Sequence, residues 1–147
     1  MYKRILLALD GSPLAEQALP HAIALAERFQ SELVLLRVLV PLARPPTVAE
    51  VAIQRAEEAT MALVREYLDR ITAQIQERGI EVQAVTIVGR PHVQIIQYAE
   101  TNQIDMVVIC TRGQSGLSRW LMGSVSDRVV RGVDVPVMLV RARKEET

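Results

Sequence analysis

The sequence predicts an α/β fold in which an open, five-stranded parallel sheet carries helices on both faces. Nearly continuous apolar runs, such as 5–9 and 106–110, are typical of strands that are covered on both sides. Segments with apolar residues at helical spacing alternate with these runs, and strict alternation favours parallel strands joined by right-handed crossovers. The 147 residues, half of them apolar, fit a single domain over 1–147.

The first strand is predicted over 3–9 and the first helix over 13–29. Ser12 is a suitable N-cap for this helix, and Pro13 occupies the favoured first position. Pro20 lies inside the predicted helix, where we expect it to cost a hydrogen bond or to bend the helix.

The second strand, 32–39, repeats the buried pattern and precedes a loop over 41–47 that contains three prolines. The longest helix follows over 48–78, with apolar residues on one face, and ends at Gly79, a favoured helix terminator. The later segments alternate in the same way and are predicted as a strand over 81–88, a helix over 91–102, a strand over 105–110, a helix over 123–130, a strand over 135–141 and a charged tail at 143–147.

Composition excludes several classes of protein. Lys plus Arg and Asp plus Glu both number 17, so no net field recruits nucleic acid or an anionic membrane. The apolar runs fall far short of the roughly 18 residues that cross a bilayer. Cys110 is the single cysteine, which excludes an intrachain disulfide and suits a reducing cytoplasm. We therefore expect a cytoplasmic protein that binds neither nucleic acid nor membrane.

Ligands of parallel sheets bind outside the carboxyl ends of the strands, and the segment 110–125 follows such an end. It contains three glycines and delivers Ser124 to a helix start, where free N–H groups and the helix dipole favour a phosphate. Arg112 either pairs with phosphate oxygens or is solvated. The alternative is an ordinary glycine-containing connection with a serine N-cap.

Asp10 stands at the end of the first predicted strand. A carboxylate at that position accepts hydrogen bonds from a diol well. The alternative is a local turn residue before Gly11 and Ser12.

Nothing in the sequence favours an enzyme. The only histidines, His21 and His92, fall in or at the start of predicted helices, without a neighbouring nucleophile or a spacing that suits a metal. The Gly-x4-Gly-Lys-Ser/Thr pattern of P-loop NTPases is absent. We expect no catalytic residue and no dedicated metal site.

The chain resembles the universal stress protein family in its small single-domain form. The resemblance rests on the Leu-Ala-Leu-Asp-Gly-Ser opening at 7–12, Val-Gly-Arg-Pro at 88–91, Asp-Met-Val-Val-Ile at 105–109 and Val-Pro-Val-Met-Leu-Val at 135–140. Nucleotide-binding members carry Gly-x2-Gly-x9-Gly-Ser/Thr, and the matching positions are Cys110, Gly113, Gly123 and Ser124.

This resemblance implies an adenine-nucleotide α-hydrolase-like, Rossmann-like fold with strand order 3-2-1-4-5. It also implies a cytoplasmic homodimer that pairs through the last strand, Val135–Arg141. This strand is expected at an edge of the sheet, where pairing with a second copy would satisfy its main-chain N–H and C=O groups. The implied ligand is ATP; Mg²⁺ would enter only with the nucleotide phosphates, and any ATP hydrolysis would be slow. By analogy Asp10 would meet the ribose hydroxyls, Ala8 and Val38 would line the adenine pocket, and Gly113, Gly123, Ser124 and Val125 would hold phosphates or ribose.

Cys110 departs from the family pattern because it replaces the first glycine. A small thiol can point into the core and leave the path of the main chain intact. The preferred hypothesis is therefore an ATP-binding regulatory protein whose nucleotide occupancy changes a surface read by an unidentified partner protein. The alternatives are a nucleotide-independent dimer with an interaction or protective role, in which Cys110 marks loss of the site, and a slow ATPase that phosphorylates itself on Ser124 or Ser126.

Overall fold

The computed structural model describes residues 1–111 and 124–143 of the chain. Its five parallel strands form one sheet in the order β3-β2-β1-β4-β5, which confirms the predicted fold class and strand order. The strands are β1 (Arg4–Leu9), β2 (Glu32–Leu39), β3 (Val82–Val88), β4 (Met106–Thr111) and β5 (Val137–Arg141), and the α-helices are α1 (Leu19–Phe29), α2 (Glu50–Gln76), α3 (Pro91–Thr101) and α4 (Ser124–Gly132).

The prediction of a helix over 13–29 is wrong at its start, because α1 begins only at Leu19. A 3-10 helix over Ala15–Ala18 precedes α1, and Ser12 Oγ accepts the main-chain N–H of Ala15 at 3.1 Å. Pro20 stands in the first turn of α1 and not in its interior. The N–H groups of a first turn have no partner within the helix, so proline removes no hydrogen bond of α1, in contrast to the expected loss.

The other elements lie within about two residues of their predicted bounds. Helix α2 is followed by Gly79, whose φ of +78° is the left-handed conformation expected of a helix terminator. Strand β5 begins at Val137 and not at the predicted Val135. Pro136 has no N–H to donate, although its carbonyl still accepts the main-chain N–H of Val107 at 3.0 Å.

Each face of the sheet has its own apolar core because successive side chains of a strand point to opposite faces. Ile5, Leu7 and Leu9 pack under α1 and α2, whereas Leu6 and Ala8 pack under α3 and α4. The central strands β1, β2 and β4 supply most of the fully buried side chains. No helix within 1–111 and 124–143 is long and apolar enough to cross a membrane.

Candidate functional site

The crevice expected in a doubly wound sheet lies between β1 and β4. These strands are neighbours, in register from Ile5 opposite Met106 to Ala8 opposite Ile109. The chain leaves β1 toward α1 on one face and reaches α4 on the other face after β4. The strand order therefore reverses here, and a ligand fits outside the carboxyl ends of these two strands.

Asp10 lies at the mouth of this crevice and is exposed. Its Oδ1 accepts the main-chain N–H of Ser12 at 2.8 Å, so the carboxylate stabilises the turn that follows β1. Gly11, between them, has a φ of +82°, which a side-chain-bearing residue rarely adopts. The structure thus gives Asp10 a role in the turn that follows β1.

Three of the residues predicted to hold the nucleotide share one apolar cluster, on the α3 and α4 face. Ala8 is 8% exposed and Val38 is 5% exposed, and both belong to the buried part of that cluster. Val125, the second residue of α4, packs against it and is partly buried. Ser124, the first residue of α4, is exposed at the same end of the sheet. An adenine ring fits an apolar surface of this kind.

Cys110 points to the opposite face of the sheet. Its thiol donates to the carbonyl of Leu14, with a sulfur to oxygen distance of 3.1 Å, and packs against the core under α1 and α2. Burial raises the pKa of the Cys110 thiol, and the negative charge of Asp10 raises it further. The thiol is therefore protonated at neutral pH and a weak nucleophile, and its side chain stays away from the cluster of Ala8 and Val38.

A polar cluster that the sequence analysis missed lies beneath Asp10 and Gly11, on the α1 and α2 face. Arg37 in β2 is partly buried; burial lowers the pKa of its guanidinium, and the negative charge of Asp10 opposes that shift. Tyr67 in α2 donates its hydroxyl to Glu16. Burial, followed by this hydrogen bond, raises the pKa of Tyr67. The signal in the sequence was a single arginine inside the apolar run 32–39.

Several predicted residues lie outside the described part of the chain, among them Arg112, Gly113 and Gly123, as does the tail beyond Arg143. Ser126 is 3% exposed, so its hydroxyl is enclosed whereas that of Ser124 is not. Within 1–111 and 124–143, no group of three or more His, Cys, Asp or Glu side chains is arranged to hold a metal ion.

The two histidines lie in helices α1 and α3. His21 is exposed in α1, and His92 Nε2 lies 3.4 Å from Arg128 Nη1 between α3 and α4. Neither ring has a described serine or cysteine as its partner. Among the described residues, the site consists of the Asp10 carboxylate and apolar side chains, a combination found in small-molecule binding sites.

Comparison with known proteins agrees with this architecture. Universal stress protein MJ0531 of Methanocaldococcus jannaschii is 31% identical over an alignment that covers 99% of this chain and 86% of that protein. The structure of the hypothetical protein MJ0577 superposes with a TM-score of 0.84 at 28% identity and covers 99% of each chain.

Two solved structures of lower identity share the fold. A universal stress protein in complex with cAMP has a TM-score of 0.69 at 22% identity, covering 95% of this chain and 97% of that one. A universal stress protein family protein from Arabidopsis thaliana with AMP bound has a TM-score of 0.64 at 19% identity, covering 99% and 95%. The model of the universal stress protein family matches residues 1–141. The chain belongs to the universal stress protein family.

Proposed function

We propose that this protein binds ATP at the carboxyl ends of β1, β2 and β4 and acts as a nucleotide-dependent regulatory protein in the cytoplasm. The observation that carries the proposal is the placement of Asp10 at the strand-order reversal, beside an apolar cluster that contains Ala8, Val38 and Val125. A carboxylate for the ribose diol next to an apolar wall for the base is the arrangement that a nucleoside requires.

The start of α4 completes the proposed site on the phosphate side. Ser124 begins a helix of nine residues, whose first N–H groups and positive dipole end favour an anion. Related proteins provide further support, since one was solved in complex with cAMP and another with AMP bound. In our proposal, bound phosphates alter the surface around the start of α4, and a partner protein reads that change.

The test is the nucleotide content and affinity of the purified protein. Denaturation should release adenine nucleotide, and calorimetric titration of the emptied protein with Mg-ATP should give micromolar or tighter affinity. Asp10→Ala should weaken ATP binding at least about tenfold, because a charged acceptor contributes roughly 1.5–3 kcal/mol.

Asp134→Ala is the matched control, since it removes an exposed carboxylate in the turn before β5, at the opposite end of the sheet. Its ATP affinity should equal that of the unchanged protein. Absence of bound nucleotide together with no heat up to millimolar ATP would overturn the proposal and favour the nucleotide-independent alternative.

A homodimer through the last strand is the second part of the proposal. Strand β5 is an edge of the sheet, pairing with β4, and Leu139 remains 37% exposed there. An apolar edge strand favours pairing with a second copy across a two-fold axis.

Light scattering at micromolar concentration should give the mass of a dimer, and Leu139→Lys should shift it toward the monomer. Val88→Lys is the control, because Val88 is 51% exposed at the end of the opposite edge strand, β3. A monomeric mass for the unchanged protein would contradict the dimer.

A further inference from the structure

Arg37 interrupts the apolar run 33–39 of β2, next to the proposed ribose site. It lies opposite Leu9 in the pairing of β2 with β1, so the residue that follows its partner is Asp10. Its neighbours Leu36 and Val38 point to the α3 and α4 face, and alternation along the strand places Arg37 on the α1 and α2 face. Arg37 therefore lies behind the proposed nucleotide site.

The guanidinium of Arg37 lies against the main chain on both sides of that site. A Cβ atom on Gly11 would lie 3.3 Å from Arg37 Nη2, so the turn after β1 rests directly on the guanidinium. On the other side, Nη1 donates to the carbonyl of Val38 at 3.4 Å, a long hydrogen bond. Arg37 thus bridges the ends of β1 and β2, the two strands that supply the proposed ribose and adenine contacts.

A partly buried cation at this position requires a nearby negative charge. Desolvation disfavours the charged guanidinium, and among its charged neighbours Asp10 is the one that favours it most. Tyr67 lies on the same face and is hydrogen bonded to Glu16, so its hydroxyl is neutral and contributes no full charge. Asp10 directly precedes Gly11, the residue that lies against the guanidinium, so the attraction between Arg37 and Asp10 acts at this turn.

We propose that Arg37 is a positioning residue which, from behind the Gly11 turn, orients Asp10 toward a ribose diol and so sets the preference for ribonucleotides over 2′-deoxyribonucleotides. This inference rests on the proposed function. Arg37 acts through the turn and through Asp10, and it makes no contact with the nucleotide. Glycine at position 11 allows this close approach, since any other residue would place a Cβ against the guanidinium.

The experiment is a calorimetric titration of four proteins with Mg-ATP and with Mg-2′-deoxyATP: the unchanged protein, Arg37→Met, Arg37→Lys and Arg4→Met. The unchanged protein should bind ATP about tenfold more tightly than 2′-deoxyATP. The deoxy ligand lacks the 2′-hydroxyl and therefore loses a hydrogen bond to the Asp10 carboxylate. Arg37→Met should reduce that preference below about threefold, and Arg37→Lys should retain most of it because the positive charge remains.

Arg4→Met is the matched control for the loss of a partly buried arginine. Arg4 lies at the amino end of β1, where its Nε donates to Glu32 at 2.9 Å. This variant should lose stability and keep the full preference for ATP. If Arg37 had a purely structural role, Arg37→Met would instead weaken the binding of ATP and of 2′-deoxyATP by the same factor.

The outcomes separate the inference from the proposed function. If the unchanged protein binds neither ligand, both are overturned. If it binds and prefers ATP while Arg37→Met keeps that preference, or weakens both ligands by the same factor, only the inference is overturned. If Arg37→Met fails to fold, Arg37→Lys and Arg37→Gln are compared instead. The inference is overturned if both of these variants keep the full preference for ATP over 2′-deoxyATP.

Discussion

The amino and carboxyl ends of the sheet both carry charged groups, but they use them differently. At the amino end, Asp105 Oδ2 accepts the main-chain N–H groups of Lys3 and Arg4 at 2.8 and 2.9 Å, and the Arg4 side chain pairs with Glu32. These contacts join β1 to β2 and to the start of β4. At the carboxyl end, the Arg37 guanidinium lies against the turn at Gly11, directly after Asp10.

This difference follows from how parallel strands begin and end. At the amino ends of these strands, paired charges add to the stability of the fold. At the carboxyl ends, the chain turns away to both faces and leaves a crevice. Substitutions at the amino end should therefore change stability without changing binding, whereas the residues whose substitution changes binding should lie at the carboxyl end.

The largest effect should come from Asp105→Ala. It removes the acceptor of two main-chain N–H groups, one of them partly buried, and should lower the free energy of unfolding by about 2–3 kcal/mol. Urea unfolding measures this change, and Asp105→Asn, which keeps one carbonyl oxygen, should lose less. The prediction would be contradicted if Asp105→Ala had an unchanged urea midpoint, or if the folded variant had an altered affinity for ATP.

Tyr67→Phe tests how much the polar cluster at the carboxyl end of the sheet contributes to stability. Loss of the hydrogen bond to Glu16 should cost about 1 kcal/mol at pH 7. The pKa of Tyr67 is raised in the folded state above its ordinary value of 10.0, so its contribution is complete below pH 10 and is lost as the pH rises further. The stability difference between the two proteins should therefore shrink above pH 10.

Urea unfolding at pH 7, 9 and 10.5 measures this difference. Tyr98→Phe is the control, since Tyr98 packs on the α3 and α4 face. The raised pKa of Cys110 acts with the same sign in both proteins and cancels from the difference. A gap between Tyr67→Phe and the unchanged protein that widens with pH would contradict the assignment.

The smallest effect on binding should come from Cys110→Gly, although Cys110 lies in the motif itself. Its thiol donates to Leu14 on the face opposite the adenine cluster, so ATP affinity should stay within about threefold. Glycine inside a strand should still lower the free energy of unfolding by about 1 kcal/mol. Calorimetry would contradict this prediction if the variant bound ATP while the unchanged protein did not, because Cys110 would then block the site.

Local patterns in the sequence were sufficient to predict most of the fold. Apolar runs and helical spacing identified the five strands and four α-helices found in the described part of the chain, and the resemblance supplied the strand order that alternation alone leaves open. The error at Pro20 has a local cause. A 3-10 turn continues the same apolar face as an α-helix over one turn, so spacing could not locate the true start of α1.

The sequence by itself determined which residues would stand at strand ends, because the pattern that ends a strand is local. Asp10 and Cys110 were predicted at strand ends on that basis, whereas Val38 was predicted from the family resemblance. Only the tertiary structure decided on which face each side chain lies and which of them meet. Arg37 reaches the Gly11 turn because the register of β1 and β2 sets Leu9 beside it, and register depends on contacts between residues far apart in the chain.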